Sequence, residues 1–168
     1  MLAAGGIGSA RAVAAALAAG ADGVRVGTRF VATNEASAHP LYAEALVRAH
    51  ASDTVLTTAF SVMWPDAPHR VLASSIAAAE ALSDEVVGEV NLGGAVIPIP
   101  RLAIASPKRT TRGAIEAMPF YAGQGVDGVH AVGPASEVVR ELMDGAEACL
   151  RASSVQLTDS LIGAHNAH

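Results

Sequence analysis

The first part of the chain alternates short apolar runs with glycine turns and predicts a strand, a helix and a second strand. Residues 2–4 are apolar, and a glycine-rich turn at 5–8 follows them. Ser9 is suited to cap a helix, and apolar residues then recur at helical spacing until Gly20, which favours a helix end. A second apolar run covers 23–28. This length is typical of a βαβ unit, in which the two strands are parallel.

Further along, the pattern is less regular. It predicts a helix over 41–51 with residues 41, 45, 46 and 49 on its apolar face, a short strand within 54–62, and a helix over 74–82. Six prolines and glycines predict a mostly irregular segment over 88–119: Gly93, Gly94, Pro98, Pro100, Pro107 and Gly113. Pro134 opens an amphipathic helix to about residue 152, followed by a polar, frayed tail. We expect its core face to consist of five residues: Val138, Val139, Leu142, Met143 and Ala146.

Composition narrows the class of protein. The chain has 168 residues, a net charge of −5, 51% hydrophobic residues and 16% charged residues, which excludes an acidic disordered chain. With 4% aromatic residues and no cluster of basic residues, we expect no nucleic-acid partner. The longest uncharged alanine-rich run, 12–21, is about half of the ~20 residues that a membrane helix needs. The sequence therefore predicts a cytoplasmic protein without a membrane partner.

The candidate chemistry lies in the two glycine turns of the predicted βαβ unit. Gly5 and Gly6 follow the first strand, and Gly27 and Thr28 follow the second. The carboxyl ends of neighbouring parallel strands meet at one edge, so both turns can direct backbone amides, and Thr28 its hydroxyl, at one anion. Paired loops of this kind hold phosphate in (β/α)8 barrels.

Two other interpretations of these glycines stay open at this point. The glycines can simply make tight βα turns. Residues 6–11 also resemble a dinucleotide-binding fingerprint, although Arg11 stands where its third glycine belongs. Arg25 stands where that motif places an acidic residue for the ribose, and an arginine there suits a 2′-phosphate.

One joint pattern of motifs extends along the chain, at residues 3–7, 19–24, 27–33, Glu35, Ser37, 39–40, 64–70, 121–124 and the helix after Pro134. In this pattern the sequence resembles the nitronate monooxygenases, FMN-dependent enzymes formerly called 2-nitropropane dioxygenases. The resemblance extends to about residue 150.

The resemblance implies an α/β fold, namely the C-terminal portion of an FMN-binding (β/α)8 TIM barrel with a smaller inserted substrate domain. It implies a last βαβ unit at 1–33, an insert at 34–119, a return segment with the closing helix at 120–152, and a tail at 153–168. Family members are about twice as long, and their upstream half holds the residues around the flavin ring and a catalytic histidine. We therefore expect this chain to be a fragment that is inactive or poorly folded alone.

The resemblance also implies roles for individual residues. It assigns the FMN phosphate to Gly5, Gly6 and the run Arg25, Val26, Gly27 and Thr28. Tyr121 and Gln124 are expected at the active-site mouth from the insert side, and an equally good interpretation makes Tyr121 a core aromatic with a satisfied hydroxyl.

No histidine or cysteine pattern predicts a metal site. The six histidines show no ligand spacing, and Cys149 stands among apolar residues as an inert thiol. We expect the catalytic base to lie outside this chain, and none of these histidines to act as one: His39, His50, His69, His130, His165 and His168.

The reaction implied by the resemblance is the oxidation of an alkyl nitronate by dioxygen to a carbonyl compound and nitrite. One alternative is a flavin-type enoyl-thioester reductase or another FMN barrel oxidoreductase. Another is a non-catalytic half-barrel that self-associates through an exposed barrel edge or pairs with a partner chain.

Overall fold

The computed structural model describes the backbone of residues 1–165 and the side chains of residues 1–156. The end of the predicted tail, with His168, lies outside the described residues. In chain order the elements are β1 (Leu2–Ala4), α1 (Ala10–Ala18), β2 (Gly23–Arg25), α2 (Thr28–Val31), α3 (Pro40–Arg48), β3 (Thr54–Thr57), β4 (His69–Leu72), α4 (Ala73–Glu80), β5 (Val86–Leu92), β6 (Ala95–Pro100), β7 (Arg112–Gly113) and α5 (Ala135–His165).

The βαβ unit forms as the sequence predicts. Strands β1 and β2 pair in parallel, with Leu2 opposite Gly23 and Ala4 opposite Arg25. The Ser9 hydroxyl oxygen accepts a hydrogen bond from the Ala12 amide at 3.3 Å, which satisfies one of the free amides at the start of α1. Both glycine turns therefore lie at the same edge of this two-stranded sheet.

Helices α1 and α5 form a layer against one face of the β1–β2 sheet. Their shared core contains Val13, Ala14, Leu142 and Ala146. The prediction that Val139 and Met143 also face this core is wrong, because both are about half exposed. Each lies one residue, or ~100°, around the helix from a core position, and the stripe of α5 that α1 covers is narrower than that.

A second and larger core lies under the inserted segment. Strands β3 and β4 pair antiparallel, and the order of the other sheet is β6–β5–β7. Phe60, Leu46, Met118 and Val126 are among the fully buried side chains. The division into domains at residues 33 and 119 stays a prediction.

The prediction of a mostly irregular segment over 88–119 is wrong for 88–100, although 101–111 contains no helix or strand. β5 and β6 form a hairpin whose turn is Gly93 and Gly94, with φ of 61° and 91°. Two successive positive φ angles are what a tight two-residue hairpin turn requires. The prolines of β6, Pro98 and Pro100, are tolerated because β6 is an edge strand, where a missing N–H breaks no inner ladder.

Several predicted boundaries also differ. The helix predicted to reach residue 51 ends at Arg48, because Ala49 is extended. Of its predicted apolar face, Leu46 is buried, Ala45 and Ala49 pack partly buried against the core, and Leu41 is 40% exposed. Tyr42 and Ala43 are buried as well. The strand predicted over 54–62 stops at Thr57, where its pairing with β4 ends. The prediction of a frayed tail is wrong as far as residue 165, since α5 continues through it. Within the described residues, no helix is both long and apolar enough to cross a membrane.

Candidate functional site

The two glycine turns meet at one segment that returns from the insert. The Gly123 amide donates to the Thr28 hydroxyl oxygen at 3.0 Å. A β-carbon at Gly125 would lie 3.0 Å from the carbonyl atoms of Gly6. The turn after β1 and the turn after β2 therefore contact the same three residues and lie on the same side of the molecule.

The glycines of these turns do two different things. Gly5 and Gly6 have φ of 96° and 68°, a backbone conformation that favours glycine, and a β-carbon at either would meet no atom within 4 Å. Space in front of Gly27 is likewise open. A β-carbon at Gly8, by contrast, would lie 1.9 Å from the Gly125 carbonyl oxygen. Gly8 thus serves backbone packing, whereas Gly5, Gly6 and Gly27 leave room for a ligand.

The amides at this opening are available to an acceptor. Within the described residues, no hydrogen bond uses the N–H of Gly6, Gly27 or Thr28. The Thr28 hydroxyl oxygen accepts from Gly123, so its own proton can be donated elsewhere. The opening therefore presents hydrogen-bond donors, as a site for an anion requires.

Arg25 and Val26 point to opposite faces of the β1–β2 sheet. Val26 packs with Val24 against the α1–α5 core, so its side chain cannot reach a ligand at the turn. Because side chains alternate along a strand, Arg25 lies on the other face with Ala4 and Leu2. Arg25 is exposed and forms no ion pair with any described residue. Its charge remains available at the open face.

Tyr121 and Gln124 take separate positions. The Tyr121 hydroxyl donates to the Ile104 carbonyl at 2.9 Å, so the interpretation of a core aromatic with a satisfied hydroxyl is correct for the hydroxyl, while the residue is only half-buried. The ring also lines a cavity of about 280 Å³ together with Tyr42 and Lys108. Gln124 is exposed. It precedes Gly125, the residue that contacts the turn after β1.

Tyr42, which the sequence did not single out, holds the return segment to α3. Its hydroxyl donates to the Tyr121 carbonyl at 2.5 Å, and its ring stacks on Phe120 with centroids 4.8 Å apart. Burial, and secondarily the nearby Tyr121 phenol, raises the pKa of Tyr42 above its ordinary value of 10.0. Burial also raises the pKa of Tyr121.

These shifts predict a loss of stability in alkali. The native state keeps the Tyr42 phenol protonated where the unfolded chain ionises it, so its contribution to the free energy of unfolding should be fully present below about pH 9 and be lost above about pH 10. Tyr42 should account for at most about 1.4 kcal/mol per pH unit, and the more exposed Tyr121 for less. Urea titrations at pH 8 and pH 11 measure the fall. Tyr42→Phe should lower stability at pH 8 and reduce the fall; an unchanged fall would contradict this account.

Sequence reasoning assigned no role to two further polar side chains, of which Arg29 is buried and His69 is half-buried. Arg29 is 5% exposed, and its guanidinium donates to the Glu141 carboxylate of α5. His69 donates from Nδ1 to the Ala67 carbonyl at 2.9 Å, while its Nε2 is buried without a partner among the described residues. The contact of Arg29 is with a side chain 112 residues away, and that of His69 is with the backbone of a turn, so residue spacing carries no signal for either.

Within residues 1–156, no group of three or more histidine, cysteine or acidic side chains is placed to hold a metal ion. The candidate site consists of the backbone amides of Gly6, Gly27 and Thr28, the Thr28 hydroxyl and the Arg25 guanidinium.

Comparison with known proteins decides the family. The family model described as nitronate monooxygenase matches residues 1–145. The chain belongs to the nitronate monooxygenase family. This family consists of flavin oxidoreductases, so the expectations of family and of enzyme class are confirmed.

Individual relatives agree with the family assignment. A protein named probable nitronate monooxygenase from Bacillus subtilis is 44% identical over 61 residues, which are 36% of this chain and 18% of that protein. A protein of the same name from Staphylococcus aureus is 41% identical over 61 residues, 36% of this chain and 17% of that protein.

Solved structures confirm the fold class. Nitroalkane oxidase from Streptomyces ansochromogenes superposes with a TM-score of 0.59 at 26% identity, covering 90% of this chain and 40% of that one. FabK from Thermotoga maritima superposes with a TM-score of 0.58 at 24% identity, covering 95% of this chain and 46% of that one, and it shows the fold alone. The family member described here thus has the fold of part of a TIM barrel, and it spans less than half the length of these structures.

Proposed function

We propose that this chain carries the phosphate-anchoring part of an FMN-dependent enzyme that oxidises alkyl nitronates with dioxygen. The observation that supports this most is the opening between the two turns, where Gly6, Gly27 and Thr28 offer free amides to an anion. Family membership supplies the cofactor class, and the phosphate of FMN is the anion that fits such donors.

The residues of the site contribute to FMN binding in different ways. The amides of Gly5, Gly6, Gly27 and Thr28 donate to phosphate oxygens, and the Thr28 hydroxyl can donate one more hydrogen bond. Val26 contributes its backbone only. Arg25 adds a positive charge on the open face of the sheet, where it attracts the phosphate.

The chemistry itself belongs to the flavin. Bound FMN would supply the redox chemistry by which dioxygen oxidises the nitronate to a carbonyl compound and nitrite. The part of this chain is to bind the phosphate and so orient the cofactor. Tyr121 and Gln124 contribute to the mouth through which a small substrate enters.

One observation favours a second function, a half-barrel that pairs with a second copy of itself. Parallel strands are normally covered on both faces, yet Leu2 is 63% exposed and lies with Ala4 and Arg25 on the uncovered face of β1–β2. Another copy can cover this apolar face and pair with the open strand edge.

One binding experiment tests these proposals. The purified chain is titrated with FMN and with riboflavin, which lacks the phosphate, and flavin fluorescence reports binding. We expect FMN to bind at least about tenfold tighter, since each charge-assisted hydrogen bond contributes about 1.5–3 kcal/mol. Equal affinities would overturn the phosphate anchor.

Activity and mass measurements on the same sample distinguish the proposed functions from one another. We expect no nitrite release from an alkyl nitronate with the chain alone; measurable release would overturn the expectation that this chain is inactive. NADH oxidation with an enoyl thioester would instead support the reductase alternative. A dimer mass by light scattering, with flavin bound, would support the self-paired half-barrel, and a monomer mass would contradict it.

A further inference from the structure

Arg29 is a buried charge directly beside the proposed phosphate turn. It follows Thr28 in α2 and is 5% exposed. Its guanidinium pairs with the carboxylate of Glu141, which stands on α5, 112 residues later, and whose side chain is 55% exposed. The ion pair therefore joins the turn after β2 to the closing helix of the chain.

This arrangement leaves one guanidinium donor unsatisfied. The Nε of Arg29 is buried and has no hydrogen-bond partner among the described residues. Arg29 also lines a cavity of about 140 Å³, together with Glu137 and Glu141. An incompletely paired buried charge is a poor way to gain stability, because apolar residues of similar size pack there at lower cost. A role other than stability accounts better for an arginine at this place.

Helix α2 needs an anchor from outside. It has four residues, and its N-cap Gly27 provides no side-chain hydrogen bond. A helix this short does not hold its own conformation in water. Two side-chain contacts hold α2 in place. The Thr28 hydroxyl oxygen accepts a hydrogen bond from the Gly123 amide, and the Arg29 guanidinium pairs with the Glu141 carboxylate.

We propose that Arg29 is a positioning residue for FMN, acting through its ion pair with Glu141. By holding α2 against α5, the pair fixes the directions of the Gly27 and Thr28 amides before the phosphate arrives. A binding site whose donors are already in place loses less entropy on binding, so the affinity for the anion is higher. This inference rests on the proposed function.

The test is a charge-neutral substitution with a matched control. Glu141→Gln keeps the shape of the side chain and removes the charge that pairs with Arg29. The control Glu147→Gln makes the same change on the same helix, where the carboxylate pairs with exposed Arg151 four residues on. We expect Glu141→Gln to weaken FMN binding about tenfold, with riboflavin binding unchanged, and Glu147→Gln to change neither.

Each other outcome overturns the proposal. Unchanged FMN affinity would show that the ion pair does not position the turn. Higher FMN affinity in Glu141→Gln would show that Arg29 acts as a free charge rather than as an anchor. Equal losses for FMN and riboflavin would indicate general destabilisation.

A second measurement needs no flavin and separates this inference from the proposed function. If the unsubstituted chain does not distinguish FMN from riboflavin, the proposed function fails. Whether the ion pair fixes the turn after β2 is judged separately, by the amide NMR signals of Gly27 and Thr28. We expect these signals to shift or broaden in Glu141→Gln and to stay in place in Glu147→Gln. Signals that stay in place in both variants would overturn the positioning role.

Discussion

Replacing Gly8 by alanine is expected to lower the free energy of unfolding by about 3 kcal/mol, because the added methyl group collides with backbone. Its β-carbon would lie 1.9 Å from the Gly125 carbonyl oxygen, and a β-carbon at Gly128 would lie 2.0 Å from the Gly8 carbonyl oxygen. Neither contact is the end of a flexible side chain, so the turn after β1 must separate from the return segment. Urea unfolding followed by circular dichroism measures the loss.

Gly123→Ala is the matched control for this effect. It makes the same change in the same contact region, and its β-carbon would lie 3.6 Å from the Thr28 hydroxyl oxygen, an ordinary van der Waals distance. We expect a change of less than about 1 kcal/mol. If Gly8→Ala and Gly123→Ala had equal stabilities, the tight packing of the two segments would be wrong.

Replacing Gly27 by alanine is expected to weaken FMN binding at least about tenfold while leaving stability unchanged. Gly27 has φ of −106° and ψ of −64°, which alanine adopts readily, and a β-carbon there would meet no protein atom within 4 Å. That open space is where the proposed phosphate approaches the Gly27 and Thr28 amides. The methyl group would therefore obstruct the ligand but not the fold.

Riboflavin serves as the internal control for Gly27→Ala. Since riboflavin has no phosphate, its affinity should be the same for the variant and the unsubstituted chain. Thermal unfolding of the two proteins should coincide. An unchanged FMN affinity would place the phosphate elsewhere, and a parallel loss for riboflavin would show that the substitution disturbs more than the phosphate turn.

Glycines of one short turn thus differ in what an added β-carbon would meet. Gly6 and Gly8 belong to one short turn, yet one faces open space and the other faces the Gly125 backbone. Their difference depends on a segment more than 110 residues away in the chain. The dinucleotide-binding interpretation, which used both glycines, gives way because the family and the fold are those of a TIM barrel.

The errors in the sequence interpretation have the same origin. Prolines and glycines over 88–119 predicted irregular structure, but on an edge strand Pro98 and Pro100 interrupt no inner ladder. Val139 and Met143 fit an apolar helix face, but only the neighbouring helix decides how wide the covered stripe is. In both cases the deciding information was the position of a neighbour, which local pattern does not contain.

The amino-acid sequence alone determined the βαβ unit, the cap at Ser9, the parallel pairing and the family, because these depend on neighbours within about 28 residues and on motifs read directly from the chain. Only the tertiary structure decided which amides remain free, which glycines are packed, and that Arg29 meets Glu141. Those features arise from contacts between segments about 100 residues apart. Their geometry depends on how whole elements pack, a property that no local spacing of residues specifies.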